Sequence, residues 1–331
     1  MDGVEEHVEA LLAEMTLEEK AALTAGSDAW HGVAIPRLGI PRLKLSDGPA
    51  GARGESSSGE LSAACFPNGS ALAASFDVEL VERVGEALAE EARSKGAHVL
   101  LAPTVNMHRS PLGGRHFECY SEDPHLAARM AVAFVRGVQR RGVAASVKHF
   151  VANDSEFERH TISSELDPRT LREIYLPPFE AAVQEAGAWT VMAAYNRIGS
   201  RHACEHRELL RDLLKEARDV DGLVVSDWGA VHDTVATALA GCDLEMPGPA
   251  RHLGPHLAEA VRAGELAPAR IDDMARRILR VMGRTGALDM VQEPAERAED
   301  RPRHRALIRE AACAGAVLLR NEGGVLPLRR E

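Results

Sequence analysis

Aromatic side chains are scarce in this 331-residue chain, at 4%, so alanine, leucine and valine have to fill its core. Cysteine is sparse as well. Cys65, Cys119, Cys204, Cys242 and Cys313 are odd in number and widely spaced, and no C-x-x-C pair exists. A zinc knuckle and a thiol redox motif are therefore unsupported, and free thiols in a reducing compartment are the simplest reading. No apolar run approaches the roughly 18–20 residues that would span a bilayer. The first 14 residues are acidic and helical in pattern, unlike a basic-then-apolar leader, so the expected location is the cytoplasm. Basic excess is missing too. The net charge of −11, spread along the chain, disfavours nucleic acid or an anionic membrane as partner. No G-x-G-x-x-G follows a strand, which counts against a dinucleotide cofactor, and Gly113-Gly114 reads as a loop. No His/Asp/Glu cluster has ligand spacing, so neither metal nor cofactor is expected.

What is present is regular. Apolar runs of strand length are expected at 43–46, 70–74, 98–102, 144–148, 190–194, 222–226 and 241–245. Longer amphipathic stretches lie between them, at 77–94, 123–141, 167–186, 205–216, 230–240, 255–263 and 268–282. Asp77 is a good N-cap, and Asp123-Pro124 and Asp167-Pro168 are mechanistic start signals, an N-cap acid followed by proline. Repeated strand–helix units imply a parallel sheet. That many units over residues 1–290 fit a TIM-type (β/α)8 barrel, regular or irregular, better than an open sheet. Composition turns polar and proline-bearing over 291–303, which reads as a linker. Residues 304–331 then offer a helix and one apolar strand, 316–319, which cannot bury their own faces. They read as the opening of a second domain.

The segment Asp221-Gly-Leu-Val-Val-Ser-Asp227-Trp228-Gly229 is the most telling. Alternation along a strand puts Leu223, Val225 and Asp227 on one side. A carboxylate in line with a core face is costly unless it stands at an open mouth or has partners. In a barrel, all strand ends reach the same rim. Asp47, Lys148 with His149, Met192 with Tyr195, and Asp227 with Trp228 close expected strands, and Arg115 follows Gly113-Gly114 in the long loop after the third. Two acids, two cations, a phenol and an indole at one rim suit a sugar: hydroxyls take charged partners, and the apolar sugar face takes an aromatic. Each has a structural alternative. Asp47 precedes Gly-Pro and would serve a turn, Arg115 would serve as surface charge, and His149, Met192 and Tyr195 would serve as filler. Asp227 would cap a helix over 230–240.

Five segments in order carry a resemblance. They are Leu45-Ser-Asp47-Gly-Pro-Ala-Gly-Ala-Arg53, the run from Pro111-Leu-Gly-Gly-Arg115 to Asp123-Pro124, Lys148-His149-Phe-Val-Ala-Asn153, Val191-Met192-Ala-Ala-Tyr195-Asn196, and Gly222 to Trp228. On these the chain resembles glycoside hydrolase family 3, the β-glucosidase group. The resemblance implies a retaining exo-β-glycosidase, with an α/β-sandwich second domain begun by the tail. Asp227 would be the nucleophile. Asp47, Arg115, Lys148 and His149 would bind the hydroxyls of the terminal sugar. Tyr195 would hold the nucleophile, and Met192 and Trp228 would be packing walls. Lys148 and Arg115 are expected to favour the charged form of Asp227. The acid/base glutamate of the β-glucosidase branch would lie in the second domain. The β-N-acetylglucosaminidase branch instead keeps a His/Asp pair in the loop after the Lys-His strand. That loop here lacks its Gly-His-Gly pattern, and His160 with Asp154 or Glu158 is the nearest substitute. A β-xylosidase and a non-catalytic sugar-binding barrel are the other readings. A β-linked glycoside is the expected ligand, with a second copy of the chain or a complementing C-terminal domain as protein partner.

Overall fold

The structure, a computed structural model, describes residues 2–55 and 61–328. Its strands are β1 (Leu45–Asp47), β2 (Val99–Leu101), β3 (Ala144–Phe150), β4 (Ser163–Ser164), β5 (Thr190–Ala193), β6 (Arg197–Ile198), β7 (Arg201–His202) and β8 (Leu223–Ser226). Its α-helices are α1 (Asp2–Glu14), α2 (Leu17–Leu23), α3 (Gly69–Ala73), α4 (Val78–Ser94), α5 (Pro124–Arg140), α6 (Pro168–Thr170), α7 (Pro177–Gln184), α8 (Thr234–Ala240), α9 (Pro255–Arg262), α10 (Pro268–Arg284) and α11 (Pro302–Ala314). Among the described residues no helix is long and apolar enough to cross a membrane.

Five strands pair side by side in the order β1-β2-β3-β5-β8, all parallel. Single parallel bridges carry the ring onward, from Val225 to Leu244 and from Glu245 to Ala25. Antiparallel bridges Gly26–Gly32 and His31–Lys44 then lead back to β1. The ring is thus an irregular (β/α) barrel, closed by a reversal where a regular barrel would place another parallel strand. A separate small sheet, β4-β6-β7, sits on the loops above it.

The expected alternation is present. Val99, Leu101, Met192, Leu223 and Val225 share one buried cluster. Leu100, Val191 and Val224, one residue out of step, share another with Val84 and Leu88 of α4 and Phe134 and Val138 of α5. Helices α4 and α5 approach closely because glycines face each other's backbones. A Cβ on Gly137 would lie 2.1 Å from the Glu82 carbonyl, and one on Gly85 would lie 2.6 Å from that of Phe134.

Four expectations need correction. Residues 70–74 form no strand but α3, because Asn68 caps a turn there by accepting from the Ala71 amide, and Gly, Ser and Ala have no β-branch to hold them extended. Residues 241–245 make only bridges, because the Asp243 carboxylate itself accepts from the Val224 amide at 2.9 Å. Residues 316–319 are irregular and exposed, with no strand among the described residues beside them. The helix expected from 167 to 186 is broken into α6, a π-turn at Leu171–Tyr175, and α7, because Pro177 and Pro178 supply no amide hydrogens.

The residues after α10 pack on the barrel. Met290 reaches His98, and Glu293 reaches His31, Arg42 and Lys44. Helix α11 lies against α3 and α4, with His304 between Glu90 and Glu91.

At the closing segment, Asp243 is fully buried and takes both its salt-bridge partners, Lys215 at 2.7 Å and Arg270 at 2.8 Å, out of water. Removing one member of such a group strands the others. Asp243→Ala should cost about 3–5 kcal/mol, read as a drop in denaturant midpoint.

Candidate active site

A cleft of about 820 Å³ opens at the C-terminal ends of the strands. All eight residues singled out from the sequence line it: Asp47, Arg115, Lys148, His149, Met192, Tyr195, Asp227 and Trp228. They come from positions 47 to 228, and only the parallel ring brings them to one rim.

Asp47 ends β1 and Lys148 lies near the end of β3. The Lys148 ammonium, 3% exposed, donates to Asp47 Oδ1 at 2.7 Å. Burial works against the Asp47 charge, but Lys148, Arg53 and the Gly48 amide outweigh it and hold the carboxyl below its ordinary range. Lys148 and His149 are consecutive, yet both line the cleft. The β3–β5 register shifts between Val147 and Phe150, which lets neighbouring side chains share a side.

His149 is oriented from behind. Asn106 Oδ1 accepts from the His149 amide at 2.9 Å and sits 3.0 Å from Nδ1. Nδ1 therefore carries the hydrogen, and Nε2 faces Asp227 Oδ2 at 3.5 Å. Burial holds the imidazole neutral, reinforced by Arg115, Lys148 and Arg159.

Asp227 follows β8 directly, on the side of Leu223 and Val225. Its Oδ1 accepts from the Trp228 amide at 2.8 Å. It caps no helix: Asp233 does that for α8, accepting from the Ala236 amide at 2.7 Å. The expected balance at Asp227 is overturned. Lys148, the Trp228 amide, the Tyr195 phenol and Arg115 do favour its charge, but burial outweighs them and pushes the carboxyl above its ordinary range. The residue is only 7% exposed, and Lys148 is already bonded to Asp47.

Arg115 is held in the cleft wall by Glu118, through Nε at 2.6 Å and a second nitrogen at 3.2 Å. Met192 is buried, and the Tyr195 phenol is raised by burial and by Asp227. Trp228 is half-buried, and its indole N–H donates to the Ala29 carbonyl at 2.9 Å.

Among the further cleft residues, Trp30 and Arg159 went unmarked in the sequence. Trp30 packs against Trp228 with ring centroids 5.5 Å apart and the ring planes tilted by 45°. Arg159 lies over the Tyr195 ring at 4.7 Å and pairs with Glu156 at 2.8 Å. A tryptophan in the segment ahead of the first strand, and an arginine in the loop after Lys148-His149, were the available signals. His160 does not join Asp154 or Glu158. Its ring packs edge-on against Tyr195 at 4.4 Å, while Asp154 faces Tyr175 and is pushed up to about 6 by burial.

One cluster with metal-ligand geometry also went unseen, because its members lie at 31, 55 and 293. His31, Glu55 and Glu293 bring ligand atoms within 4.8 Å of one another. The buried Lys44 ammonium bonds Glu55 and Glu293 from within this group, so a lysine already balances its charge.

The family profile described as the N-terminal domain of glycosyl hydrolase family 3 matches residues 11–281. The chain belongs to glycosyl hydrolase family 3. A β-glucosidase of Rhizobium radiobacter is 54% identical over 324 residues, covering 98% of this chain and 40% of that protein. β-Glucosidase B of Emericella nidulans is 47% identical, covering 98% and 38%. Among solved structures, a Kluyveromyces marxianus β-glucosidase in complex with glucose superposes at TM-score 0.94 with 39% identity, over 97% of this chain and 40% of that one. DesR, a Streptomyces venezuelae β-glucosidase in complex with D-glucose, gives 0.89 and 35%, over 98% and 43%. This family 3 chain thus spans about two fifths of the length of those relatives.

The raised Asp227 carboxyl has a stability consequence. A carboxyl whose folded value exceeds its unfolded one weakens the fold as pH rises through the folded value. Asp227→Asn should therefore raise the melting temperature at neutral pH, and the gain should vanish below about pH 4, where the aspartate is protonated in both states. Melting curves across pH test this.

Proposed function

We propose that this barrel carries the sugar-binding and nucleophilic machinery of a retaining, exo-acting β-glycosidase, most simply a β-glucosidase. The observation that supports it best is Asp227, a near-buried carboxylate in the cleft floor beside His149 and within the field of Lys148 and Arg115. In this reading the Asp227 carboxylate attacks the anomeric carbon as the aglycone oxygen leaves, forming a glycosyl ester. Water then attacks the same carbon from the opposite face, gives its proton to the group that had protonated the aglycone, and regenerates the carboxylate, so configuration is retained.

Asp47 and Lys148 form a charged pair that takes sugar hydroxyls, the carboxylate as acceptor and the ammonium as donor, and Arg115 and His149 bind others. Tyr195 steadies the nucleophile, and Met192 and Trp228 wall the subsite. Glucose is the sugar of choice because the relatives are named β-glucosidases and two of the matching structures hold glucose.

A retaining mechanism also needs a carboxylic acid to protonate the leaving oxygen. Among the described residues, the other cleft acids are poor donors: Asp47 is held ionised by Lys148, and Glu118 is bonded to Arg115 and Thr104. We place the proton donor outside this barrel. This chain alone should then hydrolyse cellobiose and alkyl glucosides slowly, since a lost general acid costs about 10²–10⁴-fold.

The test uses 2,4-dinitrophenyl 2-deoxy-2-fluoro-β-glucoside, whose leaving group needs no acid, with intact mass and peptide mapping. A stable adduct on Asp227 is expected, and its absence from Asp227→Asn would establish the site. The labelling rate should fall on acidification at a pH above the ordinary aspartate range of about 3.9, because Asp227 must ionise against its burial. Saturable glucose binding without any adduct would instead favour a binding module.

A further inference from the structure

The cleft wall between β1 and α3 has two flanks, Gly48 to Arg53 on one side and Leu61 to Cys65 on the other. These residues are mostly Gly, Ala, Pro and Ser, with little apolar bulk to fix them by packing. Polar ties hold them instead. Arg53 N donates to the Asp47 carbonyl at 2.9 Å, and Phe66 N to that of Ala50 at 2.7 Å. Behind both flanks runs the segment 291–301. It crosses tightly over Gly96, where a Cβ would lie 3.2 Å from the Pro294 carbonyl oxygen. Glu296 accepts from the Glu55 amide at 2.9 Å and pairs with Lys44 at 3.2 Å. Glu91 accepts from the Ala64 amide and from Arg301, each at 3.2 Å.

The centre of this arrangement is Lys95, fully buried at the end of α4. Its ammonium donates to the Ser62 carbonyl at 3.0 Å and to the Arg297 carbonyl at 2.7 Å. Arg297 N donates back to the Ser94 carbonyl at 2.8 Å. An ammonium at that depth is tolerable only while its acceptors stay in place. Either carbonyl moving away would leave it unsatisfied, so the tie resists displacement more than a neutral contact would.

We propose that Lys95 is a positioning residue of the sugar cleft. It fastens the 61–65 flank to the 291–301 segment, while Glu296 fastens the other flank to the same segment. The wall then keeps Asp47 and Arg53 in register with Lys148. The functional part of this inference rests on the glycosidase reading; the mechanical part does not.

The experiment compares the full chain with Lys95→Met, Lys95→Arg and Glu296→Gln. Saturation and maximal rate of labelling by the 2-fluoro glucoside are measured, together with amide hydrogen exchange. Lys95→Met should raise the half-saturating concentration about fivefold, the scale of a lost charge-assisted hydrogen bond felt at one remove, and leave the maximal labelling rate within about twofold. Exchange should quicken at residues 61–66 and at Arg53 to Glu55. Lys95→Arg, which keeps its donors, should recover much of both, and Glu296→Gln should quicken exchange at Glu55. Wild-type exchange and saturation in Lys95→Met would overturn the proposal. So would a fall confined to the maximal rate. If Lys95→Met does not fold, exchange and labelling of Lys95→Gln, which removes the charge and shortens the reach to Ser62 and Arg297, decide between the same two outcomes. If the wild type takes no label, the glycosidase reading fails, and the exchange data still decide whether Lys95 fastens the wall.

Discussion

The cleft depends on one ion pair. Lys148 is 3% exposed, and a lone ammonium at that depth would lose its charge or its place. Asp47 meets it at 2.7 Å from the rim position two strands away. The buried ammonium depends on that carboxylate, so their contact fixes how the ends of β1 and β3 face each other across β2. Arg53 and the Gly48 amide complete the shell of Asp47. Under the proposed function, a sugar hydroxyl entering this pair would meet an acceptor and a donor whose geometry is already set, which would lower the ordering cost of binding.

That pairing has a consequence for Asp227. The lysine that would best hold it ionised is already bonded to Asp47, and its remaining support comes from an amide, a phenol and more distant charge. Burial prevails and the carboxyl titrates high. A carboxylate that is poorly solvated and incompletely paired is unfavourable for the fold, yet it is what an attacking group requires, because little solvation must be shed on reaction. The neutral His149 beside it, oriented by Asn106, adds no positive charge that would quench Asp227 in the nucleophilic role proposed for it.

The walls are held from outside the ring. The segment after α10 carries Glu293 and Glu296 to Lys44, and its Arg297 carbonyl to Lys95, joining positions far apart in the sequence. Such contacts are polar and buried. They define a geometry more than they add stability, since each gain is offset by desolvation.

The sequence by itself determined the parallel α/β architecture, through apolar runs alternating with capped helices, and it determined which side of β8 carries Asp227, because a period of two is fixed by covalent geometry. It also marked eight of the residues that line the cleft, most of them polar or aromatic residues near the ends of apolar runs, which stand out locally. Tertiary structure alone decided the rest. The 70–74 run became a helix because Asn68 capped it, and 241–245 stayed a bridge because Asp243 turned inward to Lys215 and Arg270. The charge state of Asp227 depended on how deeply β8 is buried and on which acid claims Lys148. Trp30, Arg159 and the His31–Glu55–Glu293 group became legible only when the ring closed and brought distant loops together, because contacts between residues far apart in the chain leave no periodic signature along it.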